Sequence, residues 1–131
     1  MWLLCSVSWG EHLRVIAHEN FPKNTLKSKE IKALFLDKKH RLHGRRILAI
    51  NYPFEHPARA CFEKNILQKN RRFLERYWLQ AHYHGKRPPK VVESEAMLLA
   101  YLHEVDTAIG YVLGSQRLQK DIKVLYESDC P

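Results

Sequence analysis

Apolar runs of two kinds alternate along this chain, and that alternation restricts it to folds in which helices pack on a sheet. Leu13-Arg14-Val15-Ile16-Ala17, Ile47-Leu48-Ala49-Ile50, Ala108 to Leu113 and Ile122 to Tyr126 have strand length, and the first is broken by the turn residues Asn20, Pro22 and Asn24. Between them, apolar residues recur at helical spacing. The stripes are Ile31, Leu34 and Phe35; Ala58, Cys61, Phe62 and Ile66; Leu74, Tyr77, Trp78 and Ala81; and Leu98, Tyr101, Leu102 and Val105. The order β-α-β-α-α-α-β-β predicts an α/β fold with a mostly parallel sheet flanked by helices. A chain of 131 residues suits one such core, since two would each be marginal.

Local signals set the element ends. Ser28 suits an N-cap, with Glu30 in the positive first turn of the helix that follows. Pro57 suits a first helical position, and that helix is expected to end near Leu67. Gly85 with Pro88-Pro89 closes the third stripe, and the fourth helix is expected to begin near Glu93 or Ser94. Asp37 to Arg46 is too charged for a core element and reads as a loop turning at Gly44.

The net charge of +8 is unevenly distributed. Lys23 to Arg46 carry nine basic residues against two acidic ones, whereas Val91 to Pro131 carry three against seven. A basic half attracts nucleic acid, anionic lipid or an acidic small ligand, or simply forms a solvated face. The basic loop from Lys38 to Arg46 lacks interleaved aromatics on which bases stack, so no specific nucleic-acid partner is expected.

Residues 1–10, MWLLCSVSWG, are apolar, and Ser8-Trp9-Gly10 has the small-x-small spacing of a signal-peptidase site. No basic residue precedes the run. It therefore reads as a truncated signal segment, with a short strand as the alternative, leaving 11–131 as the folded unit. No other stretch approaches the roughly 20 apolar residues of a membrane span, so no transmembrane segment is expected. Cys5, Cys61 and Cys130 show no CxxC spacing. Cys61 and Cys130 can pair in an oxidising compartment, or Cys61 can pack with Ala58 and Phe62 on one helix face.

Particular segments resemble the phosphate-binding proteins of ABC transporters. Asn20-Phe21-Pro22, then Leu26 to Lys38, is similar to that family's "NP…LS..EL..IFLGK" stretch. Gly44 with Ile47 resembles "W.dG..I". Arg76-Tyr77-Trp78, Gly85 to Lys90 and Ala108 to Val112 resemble "YW", "G..PPk" and "aIGYV". The shared order runs from His12 to Glu127. The resemblance implies one lobe of a periplasmic binding protein, in which two lobes close on a ligand at strand ends and helix N-termini. It also implies export to the periplasm. A whole two-lobed protein would need about twice this length, so a second lobe or a protein partner would have to complete the cleft.

The family's "R..gSGT" phosphate loop is not retained. Alignment from Phe62 backwards puts Tyr52 at the arginine, His56 at the serine, Pro57 at the glycine and Ala58 at the threonine. Pro57 also lacks the backbone donor. Asn51, Tyr52, His56 and Arg59 remain the candidate ligand-binding residues, with Thr25 and Ser28 near the first helix start, and a small anion is the candidate ligand. Arg59 can fork onto a carboxylate or phosphate. The alternative gives Arg59 to solvent, Tyr52 to the core, and His56, Thr25 and Ser28 to capping.

Other chemistry lacks a signature. His40-x-x-His43 and His82-x-His84 have no accompanying cysteines or carboxylates of metal-site type, so no metal is expected. GxGxxG, GxxxxGK[ST] and GxSxG are all absent, so neither a nucleotide cofactor nor a nucleophile elbow is encoded. The reading is a binding module, not an enzyme.

Overall fold

The computed structural model describes residues 11–130, so the expectations for residues 1–10 lie outside the described residues. The elements are β1 (His12–His18), α1 (Ser28–Phe35), β2 (Arg41–Leu42), β3 (Arg45–Arg46), β4 (Leu48–Asn51), α2 (Pro57–Phe62), a π-helical turn (Glu63–Leu67), α3 (Arg71–His82), β5 (Lys90–Val91), α4 (Glu95–Glu104), β6 (Ala108–Leu113) and β7 (Ile122–Asp129). Five strands form the main sheet in the order β5-β4-β6-β1-β7. β4 runs parallel to β5 and β6, while β1 runs antiparallel to β6 and β7. Four strands therefore point one way, and β1 alone is reversed in their midst.

Successive residues of β6 face opposite sides of the sheet, and each face takes its own helices. On one face the ring of Tyr111 lies flat against Phe62 of α2, with centroids 4.0 Å apart, and Phe35 of α1 packs beside both. On the other face Gly110 admits Leu98 of α4, which is buried. A Cβ at position 110 would lie 2.4 Å from Leu98 Cδ1, so the helix can approach only because the strand has no side chain there.

The helix stripes fall where their spacing predicts. Ile31, Leu34 and Phe35 are buried in α1, and Ala58, Cys61 and Phe62 in α2. In α3, Leu74 and Ala81 are buried, while Tyr77 and Trp78 are half-buried at its edge. α4 begins at Glu95 behind an N-cap Ser94, whose side chain accepts from the Met97 amide.

Two local expectations need correction. Ser28 is the first helical residue, not the cap. Lys27 is the N-cap, and its backbone N–H is satisfied by Glu30 Oε1 at 3.2 Å. Glu30 thus supplies the returning half of a capping box without a hydroxyl at the cap, and its charge suits the positive end of the helix. The stretch from Asp37 to Arg46 is also not wholly loop. Its two short strands pair around His43 and Gly44, which both have positive φ as a type I′ hairpin turn requires, and Leu42 anchors the hairpin in the core.

Cys61 and Cys130 form a disulfide, with Cα atoms 5.6 Å apart. Both alternatives for Cys61 are realised, since it also packs in the core. Beside it, Asn65 donates to Ser128 Oγ and to the Asp129 carbonyl, so the π-helical turn is held to β7. Arg14 of β1 is buried opposite Glu127 in the strand ladder. None of the described helices is long and apolar enough to cross a membrane.

Candidate functional site

The carboxyl ends of β4, β5 and β6 share one edge of the sheet, and α2 starts there. Asn51 ends β4. The chain then passes through Tyr52 and Pro53 to His56, the N-cap of α2. This path brings Asn51, Tyr52, His56 and Arg59 together at the strand ends.

Each of those side chains is bonded to the protein itself. Asn51 is buried, and its Oδ1 accepts from the Tyr52 amide at 2.9 Å and from the Tyr111 hydroxyl. The Tyr52 hydroxyl donates to the Tyr111 carbonyl at 2.8 Å. Burial raises the pKa of both phenols, so they stay neutral at ordinary pH and supply neither a phenolate nor a base. The His56 ring stacks on Tyr52, with centroids 4.0 Å apart, and its Nδ1 accepts from the Ala58 amide. His56 is therefore the helix cap, and its ring supports Tyr52.

Arg59 forks inward. Its Nε donates to Glu63 Oε2 and its Nη1 to the Tyr52 carbonyl, each at 2.9 Å. Glu63 is buried and takes a second guanidinium on its other oxygen, because Arg71 donates to Oε1 through Nε at 3.3 Å and Nη2 at 3.1 Å. Arg71 is itself held by the Phe54 carbonyl and by the Phe54 ring, which lies 3.2 Å below its guanidinium carbon. Glu63 and Arg71 were not among the sequence candidates. Arg59 and Glu63 stand at i and i+4, a readable pair. Arg71 carries no such signal, since the π-helical turn and the left-handed Gln68 intervene.

Beneath these groups lies a cavity of about 70 Å³, lined by Asn51, Arg59 and Glu63 on its polar side and by Leu74, Trp78 and Val91 among its apolar walls. It has room for a few waters or one small ion, not for an organic ligand of ordinary size. Thr25 is exposed, and neither it nor Ser28 lines this cavity. A larger groove of about 400 Å³ follows α3 past Phe73, Tyr77 and His84, but it is shallow and open. Among the described residues, no three His, Cys, Asp or Glu side chains are grouped to hold a metal ion.

Around the strand ends the surface turns apolar. Phe54, whose ring lies against Arg71, is 52% exposed, and Val91, which lines the cavity, is 51% exposed. Comparable or greater apolar exposure occurs on and just after α3, at Leu79 and Tyr83, and on α4 at Met97.

No protein-family model matches the sequence, and no curated protein matches it. Solved structures do. A Clostridium perfringens protein described as a phosphate ABC transporter substrate-binding protein, solved with bound phosphate, superposes with a TM-score of 0.70 at 15% identity, covering 88% of this chain and 45% of its own. An ABC-type phosphate transport receptor from Vibrio cholerae gives 0.68 at 14% identity, covering 88% and 46%. The chain thus spans less than half the length of either neighbour, and its α/β architecture is that of a single lobe of a periplasmic binding protein.

Proposed function

We propose that this chain is a non-catalytic, exported lobe of the periplasmic-binding-protein type that docks a protein partner on its strand-end face, in place of capturing a free solute. The observation that carries this reading is the pairing of exposed Phe54 and Val91 with donors that are already consumed. A site for a small anion presents convergent free donors, and a docking face presents exposed apolar surface.

The partner's character follows from charge. A net charge of +8 opposes association with a second copy and favours an acidic protein partner. Photo-crosslinking side chains at positions 54 and 91, compared with position 48 on β4's opposite end, test this in the source cells. Adducts with the same protein at 54 and 91 and none at 48 are expected. A monomer that forms no adduct, yet is saturably stabilised by phosphate or sulfate at constant ionic strength, would replace docking by solute capture.

A further inference from the structure

The buried Glu63 carboxylate sits between two guanidinium groups that together touch both of its oxygens. This is the arrangement in which arginines hold a carboxylate or phosphate from solution. Here the anion is covalently part of the chain. Its effective concentration at the site is set by a few rotatable bonds, so an external anion must compete with an intramolecular one.

Three further features suit the pocket to a small oxyanion. Arg59 and Arg71 are each fixed by a second acceptor, the Tyr52 and Phe54 carbonyls, so removing Glu63 would not release either guanidinium from its place. The cavity of about 70 Å³ adjoins the Glu63 carboxylate and would merge with the volume that its truncation vacates. Asn51 lines the same space and adds an amide.

We infer that Arg59 and Arg71 form a latent site for a tetrahedral or carboxylate oxyanion, kept closed because Glu63 occupies it as a built-in competitor. The inference is separate from partner docking. It concerns the Glu63 carboxylate and its two arginines rather than the exposed faces of Phe54 and Val91, and its test uses the isolated protein.

The experiment is a phosphate titration of wild type, Glu63→Ala, Glu63→Gln and the double variant Glu63→Ala/Arg59→Met, followed by thermal unfolding at constant ionic strength. Removing Glu63 leaves two cations unpaired, so both single variants should melt below wild type in phosphate-free buffer. Phosphate should then raise the Glu63→Ala midpoint saturably, by roughly 5 °C or more at about one hundred times Kd. Wild type and the double variant should show only the general salt effect. Acetate should act on Glu63→Ala in the same sense, since it returns the deleted group. Equal saturable stabilisation of wild type would overturn the inference, because Glu63 would then not be closing anything. So would an unresponsive Glu63→Ala and Glu63→Gln pair, or failure of both to fold at every phosphate concentration, because an open site would be refilled.

Discussion

Tyr52 and Tyr111 close a loop of hydrogen bonds across β4 and β6: the Tyr52 hydroxyl donates to the Tyr111 carbonyl, while the Tyr111 hydroxyl donates to Asn51, the residue before Tyr52. Their rings meet edge to face at 5.3 Å. Tyr52 is thus built into the core. Tyr52→Phe leaves the shape intact and one buried carbonyl without its donor, so it should cost about 1–2 kcal/mol in denaturant unfolding.

Burial raises both phenols, Tyr111 well above its ordinary value. In the unfolded chain they ionise near pH 10, while the folded protein keeps them protonated. Their contribution is complete below pH 10 and is lost as pH rises above it, because the unfolded state then binds fewer protons. Urea midpoints taken between pH 8 and 11.5 should fall steeply from about pH 10. Tyr52→Phe should flatten that fall.

The disulfide closes a loop with a sequence separation of 69 residues. Chain entropy alone gives such a link about 4 kcal/mol. The Cys61→Ser/Cys130→Ser variant should therefore lose several kcal/mol in equilibrium unfolding. A variant within about 1 kcal/mol of wild type would mean that β7 is held by the Asn65 contacts and the strand ladder without it.

Gly110→Ala places a methyl 2.4 Å from Leu98 Cδ1 and 3.2 Å from its Cγ, against a side chain that is itself buried. The clash should cost about 1–3 kcal/mol. Because the two positions share one contact, Gly110→Ala combined with Leu98→Ala should cost less than the sum of the separate losses.

His12 joins β1 to β7 by hydrogen bonds to Asp129 at 2.9 Å and Glu127 at 2.6 Å, and these carboxylates raise its pKa. A raised histidine stabilises fully below its unfolded value near 6.5, and that contribution fades as pH rises through the folded value. The pair is open to solvent, so the effect should be small and sensitive to salt. NMR titration should place the His12 midpoint above 6.5, and Glu127→Gln should lower it.

Much of this architecture was legible because apolar spacing records which faces are buried. Leu34 with Phe35, Cys61 with Phe62, and the run Ala108 to Leu113 each stand where their periodicity predicts. Strand direction was less legible, since no residue of His12–His18 announces that β1 inserts antiparallel between β6 and β7. β5 is two residues long and lies below the length at which a pattern can be recognised. At the candidate site, the core position of Tyr52 and the capping role of His56 were readable as alternatives from their place between a strand and a helix start. The i, i+4 pairing of Arg59 with Glu63 was readable as well, but the second guanidinium on Glu63 was not, because Arg71 arrives from another helix.

The reversed strand sets the order in which this protein can be made. Leu13 pairs with Leu113 and His12 with Asp129, so β1, one of three interior strands, waits on segments translated long after it. Until residue 129 emerges from the ribosome, β1 lacks a neighbour on one side and Cys61 lacks its partner. Such pairing between distant segments makes folding slow and late.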